Sequence, residues 1–259
     1  MQNVGNGSED RQEATLKILV GMPNYTAVVN DKVRWNHTNL FRRWDARKIP
    51  YDIIPGKRLF IQFVRTEFVE HFLAGSYSHL LMLDDDAVCP QDFLERMLVW
   101  DKDIIGLPYV GRFPTGSPEE PWEICVKVWK DEFHGWNQDN LRNLRDAEMD
   151  QGMIQVEGIG THCMLIKRRV FTEKGIPDPD MPRYVDLDDK ASFHEEHLLG
   201  KPYFVMPKTG TEDLYYCYRA WRKGFEVWCD TDRFAGHVGT PPVLGRLALP
   251  WADPSRSTP

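Results

Sequence analysis

The chain of 259 residues lacks any apolar run approaching the roughly 20 residues that span a bilayer, so no transmembrane segment is read. It also lacks an excess of positive charge: 32 Lys and Arg stand against 39 Asp and Glu, a net charge of −7. Binders of duplex DNA or anionic membranes usually carry a basic stripe, so no clear nucleic-acid-binding signal is present. Cysteine is sparse and scattered, at Cys89, Cys125, Cys163, Cys217 and Cys229, with no Cys-x-x-Cys pair. That argues against a zinc knuckle or a disulfide framework and for reduced cytosolic thiols. The opening "MQNVGNGSEDRQEAT" has no apolar h-region, so no signal peptide is read and a cytoplasmic location is expected. The sequons at Asn6, Asn24 and Asn36 then count as chance matches. Walker A, Gly-x-Ser-x-Gly and complete dinucleotide-binding fingerprints are missing too.

What remains is ordinary globular material, 42% hydrophobic and 12% aromatic, enough for one large domain or two small ones. Residues 1–15 read as a disordered leader and residues 246–259 as a loose, Pro-rich tail. Between residues 16 and 111, short apolar runs alternate with helical spacing. "KILVGM", "YDIIP", "HLLMLDDD" and "DIIGLPYVG" read as strands; residues 28–48, 58–76 and 90–103 read as helices, with Gly75 a C-terminal stop. This alternation predicts an α/β fold, a mostly parallel sheet with helices on both faces. Further on, "ICVKVWK" reads as a strand, "WNQDNLRNLRDAE" as a helix, and "VEGIGTHCMLIKRRVF" as a Gly-marked loop entering a strand. "GTEDLYYCYRAWRKGF" reads as a helix opened by Thr211 and closed at Gly224, and "EVWCDTD" as a strand. "PDPDMP" reads as an irregular turn and "DLDDKASFHEEH" as a polar segment.

Three consecutive acids, Asp84, Asp85 and Asp86, end the strand "HLLML". Like charges at a strand end repel, and more so when partly desolvated. An acidic helix N-cap cluster is one reading. The sharper one is a Mg²⁺ or Mn²⁺ site, since these ions prefer carboxylate oxygens and keep positions open for phosphate. Ligands in such sheets sit beyond the carboxyl ends of the strands, where these acids lie. Glu212 and Asp213, at a helix start, are either ordinary first-turn acids or a general base and substrate-positioning group. His237, between Gly236 and Gly239, can complete a metal shell begun by Asp86. Gly158 and Gly160, with Thr161 and His162, suit a loop over a substrate. The tryptophans Trp44, Trp100 and Trp221 read as packing residues, although nine Trp also leave a non-catalytic carbohydrate-binding protein conceivable.

In order, "KILVGMPNY", "FVRTEFVEHFL", "HLLMLDDD", "VEGIGTHCMLIKRRVF", "TEDLYYCYRAWRKGFEVWCD" and "GHVG" resemble segments of GT-A fold glycosyltransferases of the family 2-like kind, with their Asp-x-Asp motif. The matches span about residues 16–240. The three-acid run departs from the family's usual two, and Asp52 is the one candidate for its uridine-binding acid. The resemblance implies a Rossmann-like GT-A sheet with a smaller acceptor-side region, residues 16–111 binding the nucleotide sugar and residues 112–245 the acceptor. It implies Mn²⁺ or Mg²⁺ as cofactor, held by Asp86 with Asp84 and His237. It implies a UDP- or GDP-sugar donor near Pro23, Asn24, Arg65, Asp84 and Asp85, and an acceptor near Gly160, Thr161 and His162. In an inverting enzyme Asp213, then Glu212, would be the base; in a retaining one the same acid would position substrates. A metal-dependent nucleotidyltransferase would use the same acids.

Overall fold

The computed structural model describes residues 15–23, 29–56, 60–114, 122–129, 140–173, 203–207 and 210–238. The expected leader (Thr15 apart) and tail, Asn24, and the segments "PDPDMP" and "DLDDKASFHEEH" lie outside them.

Alternation of apolar runs and helical stretches produces the expected core. Strands β1 (Ile18–Met22), β2 (Tyr51–Pro55), β3 (His79–Leu83) and β5 (Ile104–Gly106) alternate with helices α1 (Asp31–Ala46), α2 (Ile61–Ala74) and α3 (Phe93–Trp100); β4 (Ala87–Val88) is a short strand ahead of α3. Strands β6 (Val110–Pro114), β7 (Trp122–Ile124), β8 (Val126–Trp129), β9 (Leu141–Asn143), β10 (Met153–Val156), β11 (Gly158–Ile159) and β12 (Cys163–Lys167) follow, then α4 (Arg168–Thr172), α5 (Glu212–Arg222), β13 (Val227–Asp230) and β14 (Gly236–His237). The seven-stranded sheet has the order β10-β13-β5-β12-β3-β1-β2. Five strands run one way; β12 and β10 oppose them, because β12 is antiparallel to both β3 and β5, and β10 to β13. The sheet is thus mostly parallel, and strands from before and after residue 111 interleave in it.

Period-two alternation within the strands separates two cores. Leu19, Leu80, Met82, Ile104, Met164 and Ile166 face one cluster, with Val64, Phe68 and Phe72 of α2 and Tyr216, Cys217 and Ala220 of α5. Ile18, Val20, Leu81, Leu83, Ile105 and Leu165 face the other, with Leu40 and Trp44 of α1 and Phe93, Leu94 and Met97 of α3. Helices therefore cover both faces, and both are buried. All five cysteines are free thiols. No helix among the described residues is long and apolar enough to cross a membrane.

Four expectations change. "DIIGLPYVG" is two strands, not one: after Gly106 the chain turns at Leu107–Tyr109 and re-enters a hairpin as β6. "ICVKVWK" is likewise broken at Cys125. The described part of the helix expected over 136–148 is strand β9 and a 3-10 turn at Asp146–Glu148; pairing of Val128 with Arg142 wins over the helical spacing of Leu141 and Leu144. Trp100 is 39% exposed and not a packing residue, whereas Trp44 is fully buried among Phe41, Tyr51 and Phe93. Gly75 does end α2, but its φ of −97° is not left-handed. The exposed carbonyls there are bonded by Arg168 instead, whose guanidinium donates to Phe72, Leu73, Gly75 and Tyr77 at 2.7–3.1 Å.

Candidate active site

Strand register brings the predicted acids to histidine. Cys163 pairs with Leu83, so His162 lies opposite Asp84, whose N–H donates to the His162 carbonyl at 3.1 Å. Beyond Asp84 the chain turns, Ala87 N–H returning to the Asp84 carbonyl at 3.1 Å. It then forms β4, which pairs with β14 so that His237 faces Ala87, beside Asp86. Helix α1 braces this turn from below. His37 Nε2 donates to the Ala87 carbonyl at 2.9 Å, and the Asn36 amide bonds both backbone groups of Cys89, at 2.8 and 2.9 Å. The Asn36 sequon is thus spent on structure, its side-chain nitrogen held by Cys89.

Two imidazoles converge on Asp86. His237 Nε2 lies 3.2 Å from Asp86 Oδ2, and His162 Nδ1 lies 3.5 Å from both Asp86 Oδ1 and Asp84 Oδ2. The far nitrogen of each ring faces a backbone carbonyl: His162 Nε2 to Gly236 at 3.0 Å and His237 Nδ1 to Val110 at 3.2 Å. A carbonyl only accepts, so those nitrogens donate, and the second nitrogen of each ring is the one turned to the acids, available to a cation when that ring is neutral. Metal-ligating histidines are oriented in this way. One ligand atom from each of Asp86, His162 and His237 lies within 4.8 Å of the others. Atoms bound at about 2.2 Å to one ion lie up to about 4.4 Å apart, so small shifts close the set.

A second layer of charge adjoins it. Arg65, 4% exposed on α2, donates to Glu212 and, at 3.2 Å, to Asp84. Burial alone would push the Asp84 carboxyl up, but the Arg65 guanidinium and His162 outweigh it and hold it below the usual carboxylate range. Half-buried Asp85 stands between Asp84 and Asp86 in the turn. Thr211 stands at the N-cap position of α5 without a side-chain capping bond, and Glu212 and Asp213 are buried, 4% and 7% exposed. Asp213 Oδ2 accepts the Thr161 N–H at 3.2 Å; its Oδ1 accepts the Leu214 N–H at 2.8 Å and the Thr211 hydroxyl. Thr161 and His162 are themselves buried.

The structure therefore gathers Arg65, Asp84, Asp85, Asp86, Gly160, Thr161, His162, Glu212, Asp213 and His237 at the carboxyl edge of β3. Pro23 lies at the same edge, one strand over, buried beside Gly56. Asp52 does not join them: it sits near the amino end of β2, bonded to Lys17 at 2.7 Å and Tyr77 at 2.8 Å. The sequence reading missed Tyr109, which stacks on His162 with ring centroids 4.4 Å apart. The one cue for it was Pro108, a strand breaker.

Comparison with known proteins yields distant likenesses. No family model and no curated protein matches. Among solved structures, A197 from STIV aligns over 86% of this chain and 85% of its own, at 16% identity and a TM-score of 0.45. Apo UDP-glucose pyrophosphorylase aligns over 86% and 92%, at 7% identity and a TM-score of 0.40. A glycosyltransferase involved in glycosylation of the major capsid of PBCV-1 aligns over 60% and 61%, at 8% identity and a TM-score of 0.31. Scores and identities this low identify no family for the chain.

Proposed function

We propose that the chain is a metal-dependent glycosyltransferase of the GT-A type, moving a sugar from a UDP- or GDP-sugar to a hydroxyl acceptor. The observation that carries this reading is the convergence of Asp86, His162 and His237 beside the Arg65-bridged acids at the sheet's carboxyl edge. Two imidazole nitrogens and one carboxylate suit Mn²⁺ better than Mg²⁺, which favours an all-oxygen shell. His162 thus moves from the acceptor side to the cation set, and Asp84 moves from it to Arg65 and the donor. A cation held there would neutralise the departing diphosphate.

The protein's own groups divide the remaining work. Among the described residues, Asp213 is bonded to neutral donors, whereas Glu212 is bonded to a guanidinium. A carboxylate held by a cation is the weaker base. Asp213 is therefore the base for the acceptor hydroxyl, and Glu212 positions Arg65 towards the diphosphate. Residues 16–111 form the donor half and residues 112–245 the acceptor half of one domain.

A nucleotidyltransferase is the second reading. In its favour, both Glu212 and Asp213 are buried and bonded, and a phosphate nucleophile needs no base. A thermal-shift series with UDP- and GDP-sugars, with and without Mn²⁺, tests the first reading, because a ligand that binds only folded protein raises its stability. The expected shift needs sugar nucleotide and Mn²⁺ together and vanishes in Asp86→Ala. An equal shift without metal in both proteins overturns the site. Pyrophosphate release from a nucleoside triphosphate and a sugar 1-phosphate would install the second reading instead.

A further inference from the structure

We infer that Tyr109 is the positioning residue for the imidazole pair, and that residue 160 is glycine because this tyrosine occupies the space beside it. The inference rests on the cation site proposed above.

Tyr109 stands where the chain leaves β5, and its backbone is fixed on two sides. Cys125 N–H donates to its carbonyl at 2.8 Å. On the other side it bridges to Ala235, whose N–H bonds the Pro108 carbonyl at 2.9 Å, two residues before His237. From this anchor the ring touches both histidines. It stacks on His162 at 4.4 Å with planes 27° apart, and meets His237 edge-on at 5.6 Å and 81°. The two imidazoles are 4.7 Å apart.

This contact supplies what the hydrogen bonds do not. A bond to Gly236 or Val110 fixes one ring atom but leaves the imidazole plane free to rotate about the N–H···O axis. A flat ring against its face removes that freedom, and with it the spread of lone-pair directions. One side chain thereby sets both planes. The Tyr109 phenol is buried, and burial first, with the nearby acids, pushes its pKa well up, so it stays neutral beside them.

Gly160 completes the arrangement. A Cβ there would lie 2.6 Å from Tyr109 Cε1 and 2.7 Å from Cζ, and would overlap the hydroxyl. Positive φ is found at Gly152, Gly210 and Gly224, not at Gly160, so space, not backbone freedom, explains the glycine. Any side chain at 160 would push the tyrosine from His162.

Mn²⁺ titration by electron paramagnetic resonance, with the visible spectrum of Co²⁺-loaded protein, tests this on wild type, Asp86→Ala, Tyr109→Leu, Tyr109→Phe and Gly160→Ala. Losing an orienting partner typically costs about 10- to 100-fold in metal affinity. Tyr109→Leu and Gly160→Ala should weaken Mn²⁺ binding by about that factor and change the Co²⁺ bands. Tyr109→Phe keeps the ring and should rescue affinity to within about threefold of wild type, well inside that range. Folded Tyr109→Leu with wild-type affinity and spectrum overturns the inference while the cation site stands. If Tyr109→Leu does not fold, Tyr109→Phe decides, a loss of about tenfold or more overturning it. Wild type that binds no Mn²⁺ overturns the cation site itself, and the inference with it.

Discussion

Two regions of the molecule concentrate charge, and they balance it differently. Between α3 and β13, two arginines serve three aspartates. Arg96 grips fully buried Asp230 through two bonds of 2.6 and 2.8 Å and reaches Asp232 at 3.2 Å, while Arg233 grips Asp92 at 2.8–3.2 Å. Every carboxylate there has a guanidinium. In the cleft, Arg65 is the guanidinium bonded to Asp84 and Glu212, with Asp85, Asp86 and Asp213 close by. A guanidinium on each carboxylate is what a structural cross-link needs. A larger excess of acids, facing two imidazoles, leaves room for an incoming cation.

The sharpest way to break this contrast is to remove a guanidinium from the matched region. Arg96→Ala leaves Asp230 buried without its main partner, which typically costs about 3–5 kcal/mol. Urea unfolding should show that loss, while the folded fraction keeps wild-type Mn²⁺ affinity. A loss below about 1 kcal/mol would mean that water replaces the guanidinium and that the region is no cross-link.

A smaller effect separates His37, under the acid turn, and His79, at the far end of β3, from the histidines that line the cleft. Burial depresses His37 to about 4, against the raising pull of the Ala87 carbonyl; burial and then Lys167 depress His79 to about 4. Both folded values lie below the unfolded value of about 6.5. Between those limits the unfolded chain binds more protons, so stability is whole above about pH 6.5 and falls as pH drops towards 4. The His37 share is at most about 3 kcal/mol. Stability measured from pH 8 to 4 should fall less steeply in His37→Gln; an unchanged slope would show that His37 does not carry it.

Legibility in the sequence followed the range of the interaction. β1 and β3 read as apolar runs because both faces of the sheet are covered, and α2 and α5 read from local spacing and caps. The acid turn and His237 stood out as candidates, since unusual residues stand at a strand end and between glycines, and the fold sets His237 3.2 Å from Asp86. What failed was non-local. Nothing local tells that β12 inserts antiparallel between β3 and β5, and that register alone sets His162 beside Asp84 and Asp86. Tyr109 was hidden because its segment reads as one continuous strand, whereas β6 leaves to pair with β7. β9 was mistaken because its leucines fit a helix as well as a strand, and pairing with β8 decides.

The smallest effect gives the contrast its sign. Asp86 is 18% exposed in its side chain and shares a turn with Asp84 and Asp85. In metal-free protein at pH 8, Asp86→Asn removes one negative charge from a cluster in which like charges repel. The amide keeps the shape and can donate to a neighbouring carboxylate. Stability in chelator should therefore hold or rise by about 1 kcal/mol, the scale of one partly screened pair. Saturating Mn²⁺ should reverse the order, since wild type alone gains the binding energy. The matched region permits no such reversal, because each of its carboxylates is held by a guanidinium. Two unfolding curves per protein, with chelator and with Mn²⁺, check this. If Asp86→Asn loses more than about 1 kcal/mol without metal, Asp86 is a structural acceptor and the two regions are of one kind.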